Sequence, residues 1–208
     1  MFPYFGRKGR HAGLYPQPLH PLIIEPFAGS MAWTLYHRPD AAIGIEADER
    51  VVALWHRLTS LERRPRKPKV GSKTNDLFVK LCSYSEHALT SGSMTVTSRM
   101  VRDWTPLMDR IMRDGPWARE HVRYIQGDYR SAPDVEATWF IDPPYQHANR
   151  RGYAMKGLDY GELADWCRSR SGQVIVCEQA GADWLPFKPL ADFASHRGAK
   201  SAEVIWVA

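Results

Sequence analysis

The chain has 208 residues, with 28 Lys and Arg against 23 Asp and Glu, which gives a formal net charge of +5. This length fits one domain with a modest insertion and excludes two full-sized domains. A hydrophobic content of 44% excludes global disorder, and no apolar run approaches the roughly 18 residues that span a bilayer.

Residues 22 to 61 predict two successive strand–helix units. A short apolar strand at residues 22–26 precedes helical character at residues 30–37. A second apolar run at residues 41–46 precedes an amphipathic stretch at residues 49–61. Strand, helix, strand, helix is typical of a parallel sheet with right-handed crossovers.

An interruption follows, and it carries most of the positive charge. Residues 62–75 lack an apolar period and predict a loop. Residues 77–89 then predict a helix. Residues 91–98 predict a turn or hairpin, and residues 99–113 another helix. Between positions 57 and 80, eight basic residues stand against two acidic ones, so this block is either a solvated linker or a surface for a polyanion.

Strand signals then resume and complete an α/β pattern. Residues 122–125, 137–142 and 173–178 predict strands, with a helix at residues 160–170. Residues 192–196 and 203–208 predict two closing strands around a turn at Gly198. We therefore predict an α/β domain formed by residues 1–56 and 122–208, split by an inserted region at residues 57–121.

Cysteine and histidine usage indicates a reduced protein without a metal centre. Cys82, Cys167 and Cys177 show no CxxC spacing, and the eight histidines form no ligand-spaced cluster. The N-terminus lacks the apolar segment of a signal peptide. We expect a cytoplasmic protein that binds neither a metal nor a membrane.

Asp142-Pro143-Pro144-Tyr145 directly follows a predicted strand. In open α/β sheets, ligands bind beyond the carboxyl ends of the strands, and two consecutive prolines restrict the backbone. The Asp142 carboxylate and the Pro143 carbonyl can together accept both hydrogens of an exocyclic amino group, and the Tyr145 ring can stack on a flat heterocycle. The alternative is a proline-rich turn with a surface tyrosine.

Three further elements follow predicted strands and suit a nucleoside. Residues 25–30 form a glycine turn before a helix, where the backbone can approach a ligand closely. Glu46 stands about 20 residues after that turn's strand, at the acidic position that holds ribose hydroxyls in nucleoside-binding folds. Asp128 and Tyr129 follow the third strand and suit an adenine ring. The alternatives are a plain strand–turn–helix junction, a helix-capping acid (with Asp48 as competitor to Glu46) and a turn aspartate.

With these motifs in this order, the chain resembles the Dam-type DNA adenine-N6 methyltransferases in a compact phage or bacterial form. Residues 3–8 resemble the family's Y-x-G-G-K element, residues 25–30 its D/E-P-F-x-G-S/G loop, and residues 203–206 its closing strand. The chain has Met31 where the family pattern has a glycine, and residues 176–179 (VCEQ) where it has L-S-N.

The resemblance implies a Rossmann-like methyltransferase fold, with a mostly parallel seven-stranded sheet, an antiparallel C-terminal strand and a mainly helical insert. It implies transfer of a methyl group from S-adenosylmethionine to N6 of a flipped-out adenine in duplex DNA. It places catalysis on Asp142, Pro143, Pro144 and Tyr145. It places cofactor contacts on Tyr4, Phe5, Gly6, Lys8, Glu25, Pro26, Phe27, Ala28, Gly29, Ser30, Glu46, Asp128, Tyr129 and Asp142.

In this interpretation the basic block contacts phosphates and supplies affinity that is salt-dependent and independent of base sequence. The expected DNA contacts are Arg57, Arg63, Arg64, Arg66, Lys67, Lys69, Lys73, Lys80, Arg99 and Arg102. The sequence is compatible with a monomer and with a weak dimer. It is also compatible with an enzyme that has a restriction-modification partner and with a solitary phage enzyme.

Four alternatives stay open on the residues. An RNA adenine-N6 methyltransferase would use the same site chemistry, and a basic block also suits RNA. A protein-glutamine methyltransferase would resemble N-P-P-Y, and an N4-cytosine methyltransferase more often has Ser at the position of Asp142. A binding module of the same fold could have lost catalysis altogether.

Overall fold

The structure is a computed structural model that describes Lys8 and residues 11–81, 92–147, 157–194 and 200–208. Short 3-10 turns lie at Ala12–Leu14 and Tyr129–Ser131. The strands are β1 (Leu22–Glu25), β2 (Ala41–Glu46), β3 (Lys73–Thr74), β4 (Met94–Thr95), β5 (Val122–Gln126), β6 (Ala137–Ile141), β7 (Gly172–Gln179), β8 (Lys188–Ala194) and β9 (Lys200–Val207). The helices are α1 (Ala32–His37), α2 (Glu49–Thr59), α3 (Leu77–Leu81), α4 (Ser98–His121) and α5 (Tyr160–Arg168).

Seven strands form one sheet in the order β5-β2-β1-β6-β7-β9-β8. The first five in this order pair in parallel, and β9 runs antiparallel to both β7 and β8. The α/β class and the mostly parallel seven-stranded sheet with an antiparallel C-terminal strand are therefore confirmed, and the arrangement is compatible with a Rossmann-like fold.

Side chains alternate between the two faces of this sheet, and helices cover both. On one face Trp33 of α1 stacks on Phe140 of β6, with ring centroids 4.4 Å apart and planes 6° from parallel. On the other face Trp139 of β6 belongs to a buried cluster with Leu163 and Cys167 of α5. Burial on both faces explains why β6 is apolar throughout.

Helix α4 is longer than the sequence predicts, since it continues from residue 113 to His121 through Pro116. A proline inside a helix removes one hydrogen bond and normally ends it. Here Ile111 and Ala118 stay buried on either side of the proline, and a Cβ at Gly115 would lie 3.2 Å from the Leu58 carbonyl oxygen of α2. Close packing on α2 therefore favours the continued helix over the predicted end.

Residues of the predicted insert share a hydrophobic cluster with the sheet-covering helices. Trp104 and Leu107 of α4 and Phe78 of α3 are buried in the same cluster as Trp55 and Leu58 of α2. The predicted insert boundary at residue 57 also falls inside α2. The insert therefore packs as a continuation of the main core.

Smaller differences lie in short or irregular strands. Residues 73–74, inside the predicted loop, pair antiparallel with residues 94–95, a match too short to give a periodic signal. Strand β8 begins at Lys188 instead of residue 192, and it accommodates Pro189 beside a register shift at the sheet edge. The predicted helix at residues 77–89 is described only to Leu81, and the Gly198 turn lies outside the described residues. No helix in the described part of the chain is long and apolar enough to cross a membrane.

Candidate functional site

The four predicted motifs follow four neighbouring strands. Residues 25–30 follow β1, Glu46 ends β2, Asp128 follows β5, and the Asp142–Tyr145 tetrapeptide follows β6. These strands are adjacent and parallel in the sheet, so their carboxyl ends share one edge. That edge is where ligands bind in open α/β sheets.

The turn after β1 is fixed by hydrogen bonds from three directions. The Gly29 amide donates to Glu46 Oε2 at 3.0 Å, and the Trp55 indole Nε1 donates to the Gly29 carbonyl at 2.9 Å. The Ala28 amide donates to the Ile45 carbonyl at 2.9 Å. Gly29 itself has a left-handed φ of 44°, so glycine suits the position.

Met31 also has a left-handed φ, of 45°. This conformation costs a non-glycine residue about 1–3 kcal/mol. The Met31 side chain is buried over Gly44, where an added Cβ would lie 3.3 Å from the Met31 methyl carbon. Burying a methionine contributes about 1.5–3 kcal/mol, so packing over Gly44 offsets the backbone strain.

Glu46 and Asp48, the two candidates for the ribose acid, have different surroundings. Asp48 caps α2, and the Arg50 guanidinium that donates to its side chain lowers the pKa of Asp48. Glu46 instead contacts the glycine turn through Oε2 and accepts from the Asp48 amide through Oε1 at 3.0 Å. Burial raises the pKa of Glu46. The helix-cap alternative therefore describes Asp48, and Glu46 lies beside the predicted cofactor loop.

Glu25 lies at the end of β1 and is directed at α1. Its Oε1 accepts from the Thr34 amide at 3.0 Å and from the Thr34 hydroxyl at 2.5 Å. Burial raises the pKa of Glu25 to about 8, against the lowering effect of the Thr34 hydrogen bonds. In this structure Glu25 ties β1 to the following helix. Pro26 and Ser30 are also buried.

Asp128 and Tyr129 occupy different environments after β5. Asp128 caps the turn at Tyr129–Ser131 and pairs with Arg130 at 2.7 Å. Tyr129 is fully buried, and its ring stacks with that of Phe27 at a centroid distance of 5.8 Å. The aromatic contact between Phe27 and Tyr129 therefore joins the predicted cofactor loop to the turn after β5.

The Asp142–Tyr145 tetrapeptide is supported by residues from two elements. Pro143 and Pro144 are buried, whereas the Asp142 side chain is 20% exposed. The Tyr160 hydroxyl of α5 donates to the Pro144 carbonyl at 2.5 Å. The amide of Gln146, the next residue, donates to Glu178 Oε2 of β7 at 3.1 Å. This support fixes where the Asp142 carboxylate lies.

Lys8 contacts the tetrapeptide directly. Its Nζ donates to Asp142 Oδ1 at 2.8 Å and to the Tyr145 hydroxyl oxygen at 2.6 Å. The same ammonium lies 4.9 Å from the centroid of the Tyr145 ring and 3.5 Å from Glu203 Oε1. Lys8, the predicted cofactor contact, thus forms hydrogen bonds with two of the predicted catalytic residues, Asp142 and Tyr145.

Burial and neighbouring charges shift the pKa values of Asp142 and Lys8. Burial raises the pKa of the Asp142 carboxyl, the Lys8 ammonium lowers it, and Glu203 and Glu178 raise it again, so that the pKa is about 6. Burial lowers the pKa of Lys8, but Asp142, together with Cys177 and Glu203, raises it above its ordinary value. Near neutral pH the pair is therefore carboxylate and ammonium.

Nine of the ten predicted DNA contacts are exposed: Arg57, Arg63, Arg64, Arg66, Lys67, Lys69, Lys73, Arg99 and Arg102. Arg64 is paired with Asp109, and Arg99 and Arg102 lie beside Asp103. Lys80, by contrast, is buried, with 8% of its surface exposed. Its contact with DNA stays a prediction. Tyr4, Phe5 and Gly6 lie outside the described residues.

Five residues that surround these motifs were not predicted as site residues. Each is polar or aromatic and meets a motif through a hydrogen bond formed far along the chain. Two of them, at positions 178 and 203, lie in segments that the resemblance quotes (residues 176–179 and 203–206), but neither was assigned a contact. The five are Tyr15, Trp55, Tyr160, Glu178 and Glu203.

Comparison of the sequence with protein-family models gave no match, and comparison with curated proteins gave none either. Within the residues that the structure describes, no three His, Cys, Asp or Glu side chains are grouped so as to hold a metal ion. Function is therefore inferred from the residues and their geometry.

Proposed function

We propose that the protein transfers a methyl group from S-adenosylmethionine to the N6 nitrogen of adenine in duplex DNA. The observation that supports this most is the position of Asp142. It is a partly exposed carboxylate at the end of β6, beside two buried prolines and a tyrosine, and on the sheet edge that also carries the glycine turn and Glu46.

The residues at this edge have the chemistry that S-adenosylmethionine requires. The half-buried Glu46 carboxylate suits the ribose hydroxyls, and the Gly29 turn permits close approach of the backbone. Asp128 and Phe27 lie beside them, as acceptor and apolar surface for an adenine ring. When bound, the cofactor supplies an electrophilic methyl group on a sulfonium.

Asp142 and Pro143 would act on the target amino group. The adenine N6 lone pair is delocalised into the ring, which makes the nitrogen a weak nucleophile. Acceptance of its two hydrogens by the Asp142 carboxylate and the Pro143 carbonyl favours a pyramidal nitrogen with a directed lone pair. The nitrogen would form one bond to the methyl carbon as the carbon–sulfur bond breaks and a neutral thioether leaves. The nitrogen would also lose one proton, and Asp142 is the acceptor beside it. The Tyr145 ring would stack on the base once it leaves the duplex.

The exposed basic residues support a nucleic acid as the substrate. Six of them lie between positions 63 and 73, in the segment that leads to the β3–β4 pair. Lys and Arg in such a segment contact phosphates without reading the base sequence.

The proposal is tested by incubating the protein with methyl-labelled S-adenosylmethionine and unmethylated duplex DNA. Label should appear in DNA as N6-methyladenine. Labelling of structured RNA in preference to duplex DNA in a competition would contradict the substrate, and labelling of cytosine would contradict the target atom. If calorimetry shows no binding of S-adenosylmethionine, the protein is an inert module and the proposed reaction is contradicted.

We expect kcat/KM for methyl transfer to fall tenfold per pH unit below about pH 6. Only the ionised Asp142 accepts both an amino hydrogen and the released proton, and its pKa is about 6, so protonation removes activity as the pH falls through that value. Rates measured between pH 5 and pH 8 check this. Lys8→Gln should move the acidic limb to higher pH, since the Lys8 ammonium lowers the pKa of Asp142. A flat profile down to pH 5 would contradict the assignment.

Neutralising Arg63, Arg66 and Lys67 with glutamine should weaken binding to every duplex alike. The slope of log affinity against log salt should become shallower by about 0.9 for each DNA phosphate that the variant no longer neutralises. Fluorescence anisotropy at several salt concentrations measures both quantities. The matched control is the triple glutamine variant of Arg123, Arg168 and Lys188, which are exposed outside the insert. An equally shallow slope in both variants would show that only net charge matters.

A further inference from the structure

Glu203 on the last strand is buried, and its surroundings are unusual for a strand residue. It is 5% exposed, opposite Gln179 of β7 and Ala191 of β8 in the sheet. A buried carboxylate costs free energy unless it is paired and hydrogen-bonded. A well-packed apolar side chain would avoid that cost, so the partners of Glu203 indicate what the carboxylate does.

The partners of Glu203 lead to the catalytic tetrapeptide. The Tyr145 hydroxyl donates to Glu203 Oε1 at 2.6 Å, and the Tyr15 hydroxyl donates to the same oxygen at 2.9 Å. The Lys8 ammonium, which donates to the Tyr145 hydroxyl oxygen, lies 3.5 Å from Glu203 Oε1. The Tyr145 hydroxyl is thus held from both sides, as acceptor from Lys8 and as donor to Glu203.

We propose that Glu203 is a positioning residue, which fixes the Tyr145 ring in the orientation that receives the target base. This inference rests on the proposed function. A phenol ring without partners is free to shift and to turn about its Cγ–Cζ axis. Two hydrogen bonds at the hydroxyl fix the end of that axis, and because a phenol O–H prefers the plane of its ring, their directions favour one ring plane. The anchor lies on a strand paired on both sides, so its place is set by the register of the sheet.

The chemistry of the anchor requires a strong acceptor. The Tyr145 hydroxyl oxygen already accepts from the Lys8 ammonium, so its own hydrogen must be donated elsewhere. A carboxylate is the strongest hydrogen-bond acceptor among side chains. Its second donor, Tyr15, follows the turn at Ala12–Leu14 and donates to the same oxygen, Glu203 Oε1.

The test compares Glu203→Gln, which keeps the shape and removes the charge, with Tyr145→Phe, which removes only the hydroxyl. Each should lower kcat about 10- to 100-fold, as expected from a misplaced group, with KM for S-adenosylmethionine little changed. The double variant should be no slower than the slower single variant, because both changes break the same contact. Glu136→Gln, whose side chain is 74% exposed, is the matched control and should keep wild-type rates.

A pH profile separates positioning from general destabilisation. The Glu203 charge raises the pKa of Asp142, so in Glu203→Gln the acidic limb should move to lower pH, whereas in Tyr145→Phe it should stay. The charged groups that shift the pKa of Asp142 are Lys8, Glu178 and Glu203. Tyr15, Glu25, Tyr145 and Cys177 also face Asp142, and the pKa of each of these four groups is raised. An unmoved limb in Glu203→Gln would contradict the proposed contact.

A readout without catalysis keeps the inference separate from the proposed function. In protein labelled with 13C at the tyrosine Cζ, the Tyr145 and Tyr15 resonances, assigned with Tyr145→Phe and Tyr15→Phe, should shift in Glu203→Gln and not in Glu136→Gln. If wild-type protein transfers no methyl group but these resonances shift, the proposed function fails and the contact stands. If wild-type protein is active but Glu203→Gln has wild-type kcat and unshifted resonances, the positioning role is wrong.

Discussion

Replacing Asp142 with alanine is expected to lower methyl transfer at least about 10²- to 10³-fold, the range for removal of one preorganised polar group in an active site. The side chain lies 20% exposed at the end of β6, and its carboxylate is ionised near neutral pH because Lys8 donates to it at 2.8 Å. Alanine leaves no acceptor at that place. Asparagine keeps the shape but presents an NH₂ group and no charge, so Asp142→Asn should also be strongly impaired.

Cofactor binding should be largely retained, because Asp142 is only one of the cofactor contacts that the resemblance implies. The predicted cofactor contacts at Gly29 and Glu46 depend on each other and on Trp55, and none of these hydrogen bonds involves Asp142. Methyl transfer to duplex DNA measures the fall in activity, and calorimetry with S-adenosylmethionine measures the affinity that is retained. Asp165→Ala, which removes an 84% exposed carboxylate on α5, is the control. Wild-type activity in Asp142→Ala would refute the assignment of the catalytic residue.

Replacing Gly172 with alanine is expected to destabilise the protein by about 3–5 kcal/mol, from a strained backbone together with overpacking. Gly172 begins β7 with a φ of 97°, and it lies opposite Ala137 of β6. An added Cβ would lie inside van der Waals contact with the Ala137 carbonyl oxygen and 2.9 Å from the Ala137 nitrogen. Backbone atoms in the middle of a sheet cannot move aside as a flexible side chain can.

Gly71→Ala is the matched control for this prediction. Gly71 also has a left-handed φ, of 82°, but a Cβ there would meet nothing within 4 Å. It should therefore show only the backbone cost, about 1–3 kcal/mol. Urea unfolding monitored by circular dichroism gives both free energies. If the two variants are destabilised equally, the contact with Ala137 has no effect and the expected clash is wrong.

The fold was largely predictable because its signals are local. Apolar runs such as residues 137–141 and the amphipathic spacing of residues 49–59 appear in any short window of the sequence. The end of α4 was not predictable, because Gly115 and Pro116 read locally as a terminator. What overrides them is contact with Leu58, nearly sixty residues earlier in the chain. The β3–β4 pair is missed for the same reason, since two residues per strand give no pattern.

The candidate site was predictable where its residues lie in contiguous motifs. Asp142, Glu46 and the Gly29 turn follow strands directly, and strand order alone brings them to one edge. Glu178 and Glu203 are different, because nothing in their own segments indicates a partner. Glu178 meets the Gln146 amide only through the pairing of β6 with β7, and Glu203 meets Tyr145 only once β9 has inserted beside β7.

The single hydrophobic cluster that joins α2, α3 and α4 also determines how the molecule melts. Trp104 and Leu107 are packed with Trp55 and Leu58, and Trp55 in turn holds the Gly29 carbonyl. Because these side chains become exposed to water together, heating should give one cooperative transition, reported alike by tryptophan fluorescence and by circular dichroism. Weaker packing at Trp104 would then lower the melting temperature of the whole protein, including the turn that follows β1.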